Sequence, residues 1–290
     1  MGPEIVTVSA GGSIWSAFEG MTATAGVDDA ARTFILRIAA AVGGPATAWT
    51  FTCGTPVSIS SNGDLLVTGY VDRYQPDAFE HSQAFIHVSG RGKGQDAIDS
   101  AALHPTGHFE NQTVLQIAQA LDQFGIGFTS DQQLNPIPFY QITPGETVFR
   151  CIEKLCRQQG LVLSGQPDGS IKITRASGTS NSPLMEGVNI KWMRADHNWA
   201  GRHSKVIARG QRPIGNGVSN LQIEQTATDG AVTRNRPALV IIDEDTDTTR
   251  AQMRAKWRLA REAGHSLMAK ITVQRQLNRC IIGSTPATSH

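Results

Sequence analysis

Four groups of residues in this chain have the types and spacing to do chemistry. GRGKG, at residues 90–94, puts a lysine in a glycine-rich loop after an apolar run, where backbone N–H groups could cradle a phosphate. The pattern departs from G-x-x-x-x-G-K-[ST], because Gly94 follows Lys93, so the loop is read as a turn that carries the chain out of its first domain. His104 and His108, in HPTGH, could form a metal pair. Pro105 and Gly107 place them in a loop without a third ligand nearby, so no metal is expected. Asp196 and His197 lie beside Trp192 and Trp199, an acid, a histidine and two aromatics that could line a glycan site. A surface loop of ordinary polar residues is the plainer account. Arg250, Arg254, Arg258 and Arg261 recur in RAQMRAKWRLAR so that on a helix their guanidiniums share one side. Such a row can hold carboxylates while its stems pack, so these four are the expected partner interface, with a solvated face as the alternative. No Gly-x-Ser-x-Gly elbow, HExxH helix or paired-carboxylate motif occurs, and no catalytic, cofactor-binding or metal residue is predicted.

These groups need elements to position them, and local signals agree best over residues 143–176, which read as helix, strand, tight turn, strand. Thr143 as N-cap, Pro144 at the first helical position and Glu146 reaching back would form a capping box. Val148, Ile152 and Leu155 share a face with Phe149 and Cys156 beside them, and Gly160 stops the helix. Residues 161–164 form a strand, Pro167-Asp168-Gly169 a turn, and Ile171 and Ile173 alternate with Lys172 and Thr174 in the return strand. A second helix over residues 112–124, ending at Gly125, presents Val114, Ile117, Ala118 and Leu121, and a short one spans residues 95–101. Together they predict a small α/β module, closed by the polar linker SGTSNS at residues 177–182.

Strand signals dominate on both sides of that module. Before it, residues 4–8, 13–22, 32–38, 57–59, 65–71 and 84–88 read as strands, with Asn62-Gly63 as a hairpin turn. After it, residues 189–193, 205–210, 221–226, 238–242 and 267–273 do so, with the loop PIGNG between two of them. A helix over residues 247–263 interrupts these, with an acidic entry at Asp243, Glu244, Asp245 and Asp247, Gly264 as its stop, and Met253, Trp257 and Ala260 as its apolar face. The fold class predicted is α+β, mostly β: a β-barrel domain over residues 1–94, an α/β module over 95–182, and a second β-barrel domain with one helix over 183–290.

Composition narrows the function. A net charge of +1 gives no long-range field for nucleic acid, and 3 Tyr and 10 Phe without clustered lysines give no basic-aromatic surface. No apolar run approaches the roughly 20 residues that span a bilayer, and MGPEIVTVSAGG lacks the basic start and long apolar centre of a signal peptide, so a soluble chain made in the cytoplasm is expected. Cys53, Cys151, Cys156 and Cys280 are scattered and read as small buried hydrophobes. Of the 26 basic residues 19 are arginine, the cation that interfaces prefer. A GC-rich genome would produce the same bias.

PGETVFRCIEKLCRQQGLVL followed by PDGSIKITRA resembles the Mu-type phage baseplate hub proteins. GDLLVTGYVDRY, HVSGRGKGQDAID, NQTVLQIAQAL, MEGVNIKWMRADHN and RAQMRAKWRLAREAGHSLMAKITVQ follow that family's order, so the resemblance covers residues 56–274. It implies two barrels related to the tail-tube fold in each chain and a homotrimeric ring of six similar barrels. That ring would adapt the sixfold tail tube to the threefold central spike in the virion's tail baseplate. Its expected partners are further copies of itself, the tail tube or distal tail protein, the central spike protein and baseplate wedge proteins, with DNA only passing through the channel and assembly in the host cytoplasm. At the C-terminus the chain departs from the family: RQLNRCIIGSTPATSH stands where further strands would close the last barrel. The expectation is a barrel closed differently, a barrel closed by a neighbour, or a truncated chain. The competing reading is a cell-envelope glycan hydrolase carried by the tail.

Overall fold

A computed structural model describes residues 5–16, 18–27, 29–40, 51–77, 84–175, 185–186, 190–212 and 222–273. Seven strands open the chain: β1 (Val6–Ala10), β2 (Ser13–Trp15), β3 (Gly20–Thr24), β4 (Thr33–Ala40), β5 (Pro56–Ser61), β6 (Asp64–Asp77) and β7 (Ala84–Gly92). They form one sheet in the order β2-β1-β5-β6-β7-β4-β3, every neighbour antiparallel. The predicted hairpin is there, with Asn62 and Gly63 both left-handed at φ 49° and 88°, the pair a type I′ turn requires. Val8, Phe34, Leu36, Ile59, Val67 and Val88 fill the inner face, whereas Ile35, between two of them in sequence, points outward and is 51% exposed. β6 shifts register between Val71 and Arg73, a bulge that leaves Asp72 free to take the Arg91 Nε at 2.7 Å.

The glycine-rich loop is consumed by packing. Gly92 N–H donates to the Arg32 carbonyl at 2.7 Å and Lys93 N–H to that of Thr68 at 3.1 Å, and a Cβ on Gly94 would lie 2.4 Å from the Ala30 oxygen. With those donors used internally the loop turns β7 into α1 (Gln95–Asp99) and is no phosphate cradle.

The central elements are β8 (His108–Gln112), α2 (Val114–Leu121), β9 (Phe128–Ser130), β10 (Ile137–Gln141), α3 (Val148–Gln158), β11 (Val162–Gly165) and β12 (Ile171–Thr174). β8 pairs with β10, and β12 lies between β11 and β9, parallel to β9. The apolar faces predicted for α2 and α3 are buried in one cluster with Phe128, Leu163, Ile171 and Ile173. Three strands, β8 to β10, were not foreseen: β9 has three residues, and HFENQ of β8 and IPFYQ of β10 do not alternate apolar with polar residues. Helix α2 starts on a complete capping box between Thr113 and Gln116 and ends before Gly125. There the Asp122 carboxylate accepts N–H groups of Phe124, Ile126 and Gly127.

The start of α3 corrects the sequence reading. Its N-cap is Thr147, whose hydroxyl accepts the Arg150 N–H; Thr143 and Pro144 belong to a preceding turn. Gly145, left-handed at φ 83°, breaks any helical run from Pro144. Glu146 therefore caps nothing. It is buried and bonds Lys154 Nζ at 2.6 Å. Cys151 and Cys156 are buried as expected, burial pushing the Cys151 thiol up to about 11, but Cys53 is exposed, against expectation, because it lies in a turn before β5.

The last elements are β13 (Ile190–His197), β14 (Lys205–Gly210), β15 (Ile223–Thr228), β16 (Pro237–Ile241), α4 (Thr248–His265) and β17 (Leu267–Val273). β14 sits between antiparallel β15 and parallel β16, and α4 packs on that sheet through Ala251, Ala255 and Leu259. β13 and β17 form a separate two-stranded ribbon. Asp247 caps α4 by accepting the Arg250 N–H at 2.8 Å. Gly264 does not stop α4: the helix runs on to His265, and the Ser266 hydroxyl closes it on the Ala263 carbonyl at 2.7 Å. The class is α+β and mostly β, and no strand pairing among the described residues closes either β region into a barrel. The predicted linker, the PIGNG loop, Cys280 and the C-terminal segment from residue 274 lie outside the described residues.

Candidate interaction surface

Helix α4 carries the four predicted arginines, but its buried face is another one. Ala251, Ala255, Leu259 and Glu262 face the sheet; Met253 and Trp257 are half-buried and Ala260 is exposed. The bulkier residues drew the sequence reading, yet small alanines let the helix approach the strands. Trp257 instead stands at a seam with α3, where a Cβ on Gly160 would be 3.7 Å from the Met253 methyl.

The structure separates the four guanidiniums by what each already holds. Arg250 lies 3.8 Å from Asp247 and donates to the Pro136 carbonyl at 3.4 Å, so it ties α4 to the central elements. Arg258 Nε donates to Glu262 at 2.7 Å, and Glu262, buried, also accepts from the backbone N–H of His203 and contacts its Nδ1 at 3.0 Å. Arg261 Nε is 3.3 Å from His265 Nε2. Arg254 is different: its Nη1 is buried with no hydrogen-bond partner. Burial pulls its pKa down to about 10, and the positive charges of Arg157 and Arg258 add to that effect. Leaving such a donor unmade costs about 1–3 kcal/mol, more for a charged group.

Three guanidiniums surround the Trp257 ring, those of Arg254 at 5.0 Å, Arg157 at 5.3 Å and Arg261 at 5.4 Å. Arg157 comes from α3, holds Glu153 through Nη2 and also has a buried Nε without a partner. Spacing along α4 placed Arg254 and Arg261 on one side; Arg157 was illegible because it is 97 residues from Arg254 in sequence. Nearby Glu244, read from sequence as part of the acidic helix entry, instead accepts from Gln158 at 3.1 Å and lies 3.6 Å from Lys154.

The ribbon adds an apolar surface. Directly opposite residues on two strands share a face, so Met193, Ala195, His197, Leu267, Ala269 and Ile271 lie together. Of these, Met193 is 52% and Leu267 42% exposed. Trp192 and Met268, on the other face, are 46% and 55% exposed. Asp196 and His197, adjacent on β13, point to opposite faces of this exposed ribbon, so the acid and histidine of the glycan-site alternative do not converge. The other candidate pair is also spent locally: His104 Nδ1 contacts the Thr106 hydroxyl at 3.1 Å and its ring lies against Phe109, while His108 opens β8. A cleft of about 340 Å³ lies between Asn198 and Gly201, just beyond β13, and Arg258, Arg261, Glu262 and His265 of α4.

Comparison with known proteins places these features in a lineage. Residues 5–92 match the family described as Mu phage baseplate assembly protein GpP-like, N-terminal, and residues 94–175 match baseplate hub protein gp44-like, second domain. The chain is 26% identical over 286 residues to baseplate hub protein gp44 of Escherichia phage Mu, an alignment covering 94% of this chain and 73% of that one. The crystal structure of the 43 kDa tail protein of prophage MuSo2 from Shewanella oneidensis superposes with a TM-score of 0.80 at 30% identity, covering 93% of this chain and 82% of that one. A tail protein from Neisseria meningitidis MC58 shares the fold, with a TM-score of 0.74 at 20% identity over 93% of this chain and 80% of its own. Each of these relatives is a baseplate hub or tail protein. With that identity and coverage, and with two baseplate family models matched in succession along its first 175 residues, the chain belongs to the Mu-type baseplate hub family.

Proposed function

We propose that the chain forms a homotrimeric ring in the tail baseplate, adapting a sixfold tail tube to a threefold central spike and leaving a channel through which DNA passes. In this reading residues 1–94 and 183–290 are two tail-tube-like barrel units and 95–182 the module between them. Three chains then present six similar units, which is how one part carries both symmetries. Its neighbours are the tube or distal tail protein on one side, the spike protein on the other and wedge proteins outside, with assembly in the host cytoplasm.

The observation that carries the reading is the β13–β17 ribbon. A lone two-stranded ribbon is marginal in water, and this one exposes Trp192, Met193, Leu267 and Met268, while among the described residues no third strand joins it and only Ile190, bridged to Glu186, is paired along its outer edges. Contact with a neighbouring subunit would cover the faces and pair an edge. Closed cyclic assembly needs such heterologous contacts. Native mass spectrometry at micromolar concentration, with the tube and spike proteins added in turn, tests this. The expected species has three copies of the chain; a monomer that persists with both partners, or a dimer, overturns it.

A further inference from the structure

Two seams join the packed groups of this chain, and they are built differently. Where the N-terminal sheet meets the central module, the Gly165 N–H donates to the Asp29 carbonyl at 2.8 Å, Arg32 donates to the carbonyls of Gly165 and Leu66 at 3.0 and 2.9 Å, and Ala30 is buried in the central apolar cluster. Where α3 meets α4 and the residues before it, no buried apolar cluster of the described residues is shared. Polar contacts stand there instead: Gln158 donates to Glu244 at 3.1 Å, Lys154 Nζ lies 3.6 Å from the same carboxylate, and Arg250 reaches the Pro136 carbonyl at 3.4 Å. Among the described residues five buried side-chain nitrogen or oxygen atoms have no hydrogen-bond partner, and three belong to this seam or its border: Arg157 Nε on α3, Arg254 Nη1 on α4 and Asp245 Oδ1, next after Glu244. Arg157 and Arg254 also face the Trp257 ring from the two helices, like charges at 5.3 and 5.0 Å from its centre.

Closed, the second seam keeps donors from water without giving them acceptors, at a cost for each. Opened, it hydrates them and parts the two guanidiniums, while the few hydrogen bonds lost are exchanged for bonds to water. An interface that is polar and has no shared core permits movement of the parts it joins. We propose that the contact between α3 and α4 is a joint at which the unit of α4 and β14 to β16 swings away from the central module, while that module and the N-terminal sheet move as one body. The burial that pulls down the pKa of Arg254, with the neighbouring charge of Arg157, acts in the same sense, since both favour a form in which the guanidinium is solvated. Glu244 acts against them, its contacts with Gln158 and Lys154 serving as the latch. The joint is a property of one chain and does not depend on the ring.

Distances between paired spin labels on the full chain, carrying Cys53→Ser and Cys280→Ser and diluted with unlabelled chains, read the joint directly. Ala120 on α2 and Lys256 on α4 are exposed and lie on either side of it, whereas Ala120 and the exposed Thr22 on β3 span the other seam. With Ala120→Cys and Lys256→Cys, double electron–electron resonance should give two distances, the longer in about a tenth of the molecules. With Ala120→Cys and Thr22→Cys it should give one. Arg254→Met should shrink the longer population about tenfold, because the unmet donor is gone, and Glu244→Gln should enlarge it. A single distance between Ala120 and Lys256 overturns the proposal, as does a second distance between Ala120 and Thr22, or a longer population that Arg254→Met leaves unchanged or enlarges.

Discussion

At the scale of single residues, the charged groups of the described residues divide into those whose donors are met and those, such as Arg254 Nη1, whose donors are not. Arg202 and Asp229 show the satisfied case: Nε donates to the carboxylate at 2.7 Å, both side chains are largely buried, and Nη1 reaches the Ser266 hydroxyl that closes α4. The hydrogen bond from Arg202 holds Asp229 below its ordinary value, and Lys172 likewise takes Asp131 down to about 2. A carboxylate with a depressed folded pKa contributes stability that is complete above its unfolded value of about 3.9 and is lost as the pH falls toward the folded one. Thermal stability should therefore fall as the pH drops from about 4 toward 2. Asp229→Asn should cost about 2 kcal/mol at neutral pH and flatten part of that acid dependence. Unfolding measured across this range checks both, and a variant as stable as the parent at pH 7 would remove Arg202–Asp229 from the account.

At the scale of elements, the seams between packed groups are built by residues that sequence patterns do not reveal. Gly165 ends β11 where its N–H donates to the Asp29 carbonyl at 2.8 Å, and a Cβ there would lie 2.6 Å from the Ala30 oxygen. Arg32 crosses the same seam, donating to the carbonyls of Gly165 and Leu66. Gly165→Ala should destabilise by about 1–3 kcal/mol, since backbone atoms must move apart; a denaturation midpoint equal to the parent's would show that the seam yields freely. The sequence made the hairpin at Asn62-Gly63, the turn at Pro167-Asp168-Gly169 and the strands 205–210 and 267–273 legible, because turn chemistry and alternation are local. It misplaced the cap of α3, because a left-handed Gly145 looks like any glycine, and the buried face of α4, because depth of contact depends on the partner sheet. Of the interaction surface, the arginine row was visible from helical spacing. The third dimension supplied Arg157, the ring of guanidiniums about Trp257 and the unpaired ribbon, each of which joins segments distant in sequence.

At the scale of the whole molecule, the described sheets leave edges and apolar faces that a ring would cover, and the family to which the chain belongs is that of tail baseplate hubs. A β-rich chain with 18% charged residues has little charge with which to keep such surfaces apart in water. In the proposed ring, contacts between copies would supply the covering. Single-particle electron microscopy of the purified oligomer tests the ring most directly. The account expects a closed particle of threefold symmetry with six similar lobes about a central opening; a twofold particle, or a threefold one without an opening, would contradict it.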